Sequence, residues 1–343
     1  MNRAEDTMQT AEMTRGQSFK GEHLYALMLK LRAQVGGELL PYAGQLTHAA
    51  FLRWFAQADS ACAVELHEPH TRRPFTCSTL WFPNVDALRS AQQENRHLPV
   101  VAHQIYWIRF TLLTEKLFRT FVARYFQDVS PAAGETHNGV VLPQLRLGSV
   151  LFDVVEVTTS TPHQHPEHTI QWMGHTTYAE LVEHARACDP TASTARNISL
   201  EFRSPTALSN GQRAWGKQMY LFPDPERVFS GLARAWNYWA PVQYALDLQA
   251  LQGYIREWVT VAHYELRTQT VHFDCATQEG FTGKCTYAFK DAPRESTYRY
   301  AQAKVVGTGL TSGQALHLLS SFAFYAGVGY KTTMGMGQVR PLA

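Results

Sequence analysis

A split strand–helix–strand unit occurs twice along this chain, and few folds accommodate it. Residues 23–32 alternate, with Leu27, Leu29 and Leu31 on one face and Lys30 and Arg32 on the other. That is the period of a half-buried strand. After Gly36-Gly37, Thr47 reads as the N-cap of a helix over residues 48–57. Strands are expected over 75–82, 105–113 and 147–157. A helix over 115–127 carries Leu117, Phe118, Phe121, Val122 and Tyr125 on one side, and residues 85–99 read as a polar, irregular insertion. The second round runs through a strand at 197–203, with Ile198, Leu200 and Phe202 on one face. An amphipathic helix follows at 225–239, then strands at 263–267, 271–274 and 284–289, a helix at 312–325 and a last strand at 338–342. Each round is the split β-α-β arrangement of a ferredoxin-like domain. The expected class is therefore α+β, two ferredoxin-like (βαββαβ) domains in tandem, ending in a Gly-rich loop. The expected boundaries are a loose polar tail at 1–18, a domain at 19–158, a connector at 159–195 that holds a helix near 178–187, and a second domain at 196–343.

Composition narrows the function classes. The chain has 343 residues, of which 45% are hydrophobic and 17% charged, enough for two cores. A formal net charge of only +2 gives no global field for nucleic acid, so local clusters must supply one. The five cysteines, Cys62, Cys77, Cys188, Cys275 and Cys285, are scattered and contain no C-x-x-C. This argues against a disulfide framework or a Cys zinc site and fits a reducing compartment. The first 20 residues lack a signal-peptide core, and no apolar run reaches the ~20 residues of a membrane span. A cytoplasmic protein, with no membrane association, is expected.

The loop at 327–337 is the strongest local motif. Gly327, Gly329, Gly335 and Gly337 bracket Lys331, Thr332 and Thr333, and an apolar helix precedes them. Glycine lets backbone amides approach an anion, while lysine and hydroxyls add charge and directed hydrogen bonds. A P-loop needs G-x-x-x-x-G-K-[ST] opening a helix. Here the glycines lie on both sides of the Lys-Thr-Thr and the helix comes first, so a nucleic-acid phosphate suits the loop better than a triphosphate. A close chain crossing is the competing explanation of the glycines.

The C-terminal FAFYAGVGYKTTMGMGQVRP resembles the signature of the CRISPR repeat-processing endoribonucleases, the sixth CRISPR-associated protein family. Segments LPYAGQLTHAAFLRWF (40–55), ELHEPHTRRPFTCSTL (65–80), ISLEFRSPTAL (198–208), LFPDPERVFSGLARAWNYWAP (221–241) and GFTGKCTYAF (280–289) are similar to the same family, in order. The resemblance implies a tandem ferredoxin-like pair that cuts the repeat of a CRISPR precursor transcript. It implies a cut without metal or cofactor, leaving a 5′-hydroxyl and a 2′,3′-cyclic phosphate. The expected partners are the repeat RNA, the guide RNA and a type I or type III interference complex. The protein itself is expected as a monomer or homodimer.

Cleavage of this kind needs a base on the 2′-hydroxyl, charge stabilisation at the phosphate and an acid for the leaving 5′-oxygen. His48 stands where the family places its catalytic histidine, at the first helix, whose N-terminal dipole would favour neutral imidazole. Tyr42, six residues earlier, is the candidate partner; the acid and the phosphate clamp stay open, and His67 fits the family pattern without an assigned role. Lys331, Thr332, Thr333 and the loop glycines are expected to hold RNA backbone, with Lys284, Arg203 and Arg72-Arg73 as further contacts. His163, His165, His168 and His175 invite a metal reading, but they lie in a Pro-containing connector, and no metal is assigned. A non-catalytic subunit that binds guide RNA is the alternative function, and nucleotide binding at the Gly loop is a weaker one.

Overall fold

The computed structural model describes residues 22–68, 72–128, 142–160, 167–189, 196–214, 216–273, 276–290 and 308–342. The first unit runs β1 (His23–Ala33), β2 (Gly37–Leu39), α1 (Gly44–Ala58), α2 (Ser60–His67), β3 (Phe75–Cys77), α3 (Val85–Glu94), β4 (Leu98–Val100), β5 (Ile105–Leu112), α4 (Glu115–Asp128), β6 (Gln144–Leu147) and β7 (Val150–Thr158). Then come α5 (Glu167–Ile170), β8 (Gly174–Thr177) and α6 (Tyr178–Ala187). The second unit runs β9 (Asn197–Thr206), β10 (Leu208–Arg213), β11 (Gly216–Tyr220), α7 (Pro225–Trp239), α8 (Leu248–Trp258), β12 (Val259–Phe273), β13 (Ala276–Phe289), α9 (Ser312–Ala326) and β14 (Val339–Leu342).

The two main sheets share one topology. Their orders are β3-β5-β1-β7, extended by β6, and β12-β13-β9-β14. In both, the first strand of the unit lies between its third and fourth, with all these pairs antiparallel. This is the ferredoxin-like order, found twice. Period-two alternation then sorts the faces. Leu27, Leu29 and Leu31 join Phe51, Phe55 and Phe121 in one core. Ile198, Leu200 and Phe202 join Phe229, Trp236 and Phe322 in the other.

The opposite faces meet near Trp172, where Arg109, Arg203 and Arg340 all lie within 5.6 Å of its ring. Arg109, 1% exposed, ties the units together. Its Nε donates to Trp172 O, Nη1 to Gln338 Oε1 and Nη2 to Phe324 O, at 2.6–2.7 Å. Thr111 Oγ1 donates to Tyr325 O beside it at 2.6 Å. Both carbonyls belong to the last turn of α9, whose negative dipole end favours a cation.

Several local readings need correction. Thr47 is not an N-cap: α1 begins three residues earlier, and the Thr47 hydroxyl is inside it, bonding Gly44 O and Ser78 O. Residues expected to form an irregular insertion contain α3, capped by the Asn84 side chain and ended by Asn95 at positive φ. The two strands expected between 263 and 274 are one long strand, β12. Within the expected connector, β8 pairs with β1, while α6 buries Tyr178, Leu181, Val182 and Ala185 in the second core. Of the connector histidines, His163 and His165 lie outside the described residues. His175 stacks on His23 and Tyr25. Among the described residues no cluster could hold a metal ion, and no helix is long and apolar enough to cross a membrane.

Candidate active site

The start of α1 and the loop after α9 cross at backbone contact. A Cβ on Gly44 would stand 1.9 Å from the Met334 carbonyl oxygen, and one on Gly329 would stand 2.5 Å from Ala207 O. The four loop glycines have φ of 67–90°, a region that L side chains rarely occupy. Close crossing therefore accounts for these glycines directly. The loop between them makes a short turn over Thr332–Met334, with Lys331 itself at φ 55°. It is fastened by Gly335 N donating to Cys77 O and Gly337 N to Pro205 O, one bond into each unit. Gly44→Ala is expected to force the crossing apart and cost about 1–3 kcal/mol. Gly231→Ala, within α7 where a Cβ meets nothing, should stabilise by about 0.5–1 kcal/mol. Thermal melts of both variants check this, and equal midpoints would remove the steric argument.

His48 sits on α1 beneath this crossing. Its Nδ1 lies 3.1 Å from Thr333 O, and its ring stacks on Phe75 at 5.8 Å. A carbonyl only accepts, so Nδ1 carries the proton and Nε2 is left with its lone pair. Burial lowers the imidazole pKa; the Thr333 carbonyl raises it in part, and the charges of Arg73 and His67 lower it further. The cause differs from the expected helix dipole, because His48 is the fifth residue of α1, beyond the first turn where that effect acts. His67, which closes α2, thus comes close enough to act on His48 electrostatically.

Beside the loop lies an open groove of about 930 Å³. Among the described residues its cations are Arg72, Arg73, Lys217, Arg227, Arg234 and Lys331, and no carboxylate lines it. Three of these rest on aromatic faces: Lys331 Nζ 3.5 Å from the Phe273 ring centre, Lys217 Nζ 3.9 Å from Tyr330 and Arg227 3.8 Å from Tyr220. Burial lowers the Lys331 pKa. Thr332 and Thr333 line the same groove.

The structure brings His48 and the Gly loop together, puts Arg72 and Arg73 in the groove beside that loop, and places Tyr42, Arg203 and Lys284 elsewhere. Tyr42 is 7% exposed and donates to Gln269 Oε1 at 2.9 Å. Burial pushes its phenol pKa up, and it lines a second cavity of about 310 Å³. As a proton donor to His48 chemistry it is poorly placed, because its hydroxyl is committed across the units to Gln269. Arg203 lines that second cavity too, over the Trp81 ring at 4.1 Å. Lys284 is exposed on the open face of the second sheet, in register with Glu265 and Glu201; Glu201 is paired with Arg340 at 2.6 Å. Neither Lys284 nor Arg203 lines the groove. Arg227, Arg234 and Lys217 do, and sequence reading missed them. The signal available was Arg227 and Arg234, seven apart on one helix and so on one face.

Residues 24–183 match the model of the CRISPR Cas6 N-terminal domain, and residues 200–339 match that of the CRISPR-associated endoribonuclease Cas6. Solved structures are similar over 94% of the chain. A Cas6 product complex matches at 22% identity and TM-score 0.65, with 100% of that chain covered. A second Cas6 product complex matches at 23% and 0.58, also with 100% covered. Thermus thermophilus Cas6 matches at 21% and 0.57, with 99% covered. At such identities these likenesses speak for the fold. No curated protein matches the chain. With both halves matching Cas6 models, the chain belongs to the Cas6 family of CRISPR-associated, repeat-processing endoribonucleases.

Proposed function

We propose that this chain cuts CRISPR precursor RNA within the repeat without a metal ion, by attack of the 2′-hydroxyl on the adjacent phosphate. His48 Nε2 takes the 2′-hydroxyl proton; the products are a 2′,3′-cyclic phosphate and a 5′-hydroxyl. The observation that carries the reading is the His48–Thr333 contact. It leaves a neutral imidazole with a free basic nitrogen beside a groove lined by six cations and no carboxylate. Such a groove attracts a phosphate backbone, and its contacts position RNA without reading bases. The relatives crystallised as product complexes and with a substrate mimic are consistent with repeat RNA as the ligand.

The decisive experiment is incubation of end-labelled repeat RNA with the protein in EDTA, beside RNA carrying a 2′-deoxy at the cut. Cleavage of the first and survival of the second is expected. Cleavage of the deoxy substrate would reject 2′-hydroxyl attack, and tight binding with no cleavage of either would make the chain a guide-RNA-binding subunit. Lys331→Ala should weaken binding and reduce the magnitude of the log K versus log salt slope by about 0.7–0.9, as one phosphate contact disappears. An unchanged slope would remove Lys331 from the interface.

A further inference from the structure

The charge-stabilising group that His48 chemistry requires has a candidate outside the Gly loop. Arg73 lines the basic groove beside Thr333, whose carbonyl holds the His48 ring. It also stands two residues before Phe75, the residue stacked on that ring. Pro74 follows it and biases Arg73 to extended backbone. An arginine that is two residues from Phe75 and lines the same groove as Thr333 stands in the neighbourhood of the imidazole. Its charge is in fact felt by His48, and the guanidinium is itself partly desolvated, with the Glu68 carboxylate offsetting the burial. Partial exclusion of water strengthens what a guanidinium does for a nearby anion. Lys331, Lys217 and Arg227 are stacked on rings, which suits them to hold the flanking backbone.

We infer that Arg73 is a catalytic residue that clamps the scissile phosphate, donating two guanidinium N–H groups to its non-bridging oxygens. The inference rests on the cleavage reading above. In the step, the 2′-oxygen–phosphorus bond forms as its proton passes to His48 Nε2. The phosphorus–5′-oxygen bond breaks, and the leaving oxygen takes a proton from solvent. Charge builds on the non-bridging oxygens in between, and a planar two-pronged donor matches their geometry.

Single-turnover cleavage at saturating protein tests this, with wild type, Arg73→Ala, Arg73→Lys and Arg72→Ala. Arg73→Ala is expected to lower the rate constant about 10²–10³-fold while affinity for the uncleavable 2′-deoxy repeat stays near wild type. Arg73→Lys should recover part of the rate. Arg72→Ala, in the same groove, should weaken binding, and its rate constant at saturation should fall far less than that of Arg73→Ala. A structural role for Arg73 would not touch the preference between the two phosphorothioate diastereomers at the cut; a clamp sets that preference, so Arg73→Ala should lose it. Full-rate cleavage by saturated Arg73→Ala, or an unchanged diastereomer preference, overturns the assignment while leaving the cleavage reading intact. A wild-type chain that leaves the repeat uncut overturns that reading and the clamp with it.

Discussion

His48→Ala is expected to lower cleavage of the repeat by about 10²–10⁴-fold, the range of a general base, with repeat affinity almost unchanged. The contrast follows from geometry. His48 meets the rest of the protein through one ring nitrogen on Thr333 O and a stack on Phe75, whereas the cations that hold a backbone line the neighbouring groove. The sign of the pH dependence is fixed by the same environment. Burial disfavours imidazolium and so lowers the pKa. The basic form then dominates at a lower pH than for a free histidine. The acidic limb of kcat/KM, which reports the free enzyme, should have its midpoint below the ordinary histidine value, and the limb should vanish in His48→Ala. Loss of affinity equal to the loss of rate would show instead that the residue is structural, and an acidic limb displaced upward would contradict the burial argument.

The largest stability effect is expected at Arg109. Its three hydrogen bonds reach the Trp172 carbonyl and the Gln338 side chain, both buried, and the partly buried Phe324 carbonyl. Arg109→Met keeps much of the volume and removes every donor, leaving these oxygens without their partner. Each stranded buried acceptor costs about 1–3 kcal/mol, so a total of about 3–5 kcal/mol is expected, in the range for breaking a buried charged contact. Arg109→Lys should be nearly as damaging, because an ammonium cannot reproduce the planar fork. Thermal unfolding should show a lower midpoint, and because the bonds join β5 to α9 and Gln338, the two units should melt apart in separate steps. A wild-type melt in Arg109→Met would mean the units are held by other contacts.

What the sequence shows and what it hides divide along physical lines. Alternation and helical period depend on neighbours, so α7 and α6 are legible to the residue: Pro225–Trp239 and Tyr178–Ala187. α3 is hidden because only Ala91 of it is buried, which leaves no apolar stripe; its Asn84 and Asn95 caps are the signal to read. The β10–β11 hairpin is mostly exposed and carries little pattern. In the site, His48 is found through resemblance, but the acceptor that sets its tautomer lies 285 positions away, and no local pattern carries that pairing. Tyr42 shows the opposite failure. Nearness in sequence suggests a partner for His48, while folding sends its hydroxyl to Gln269, 227 residues on.

The Gly44–Met334 crossing has a consequence for the protein's life in the cell. The carbonyl that orients His48 belongs to Thr333, made 285 positions later than the histidine itself. On the proposed reading, a ribosome-bound precursor that has extruded the whole first unit still holds an imidazole with no carbonyl to orient it and no loop above it. Such a nascent chain can grip RNA weakly but cannot cut it. On that reading, a chain that lacks the loop at 327–337 has no oriented base and leaves RNA uncut.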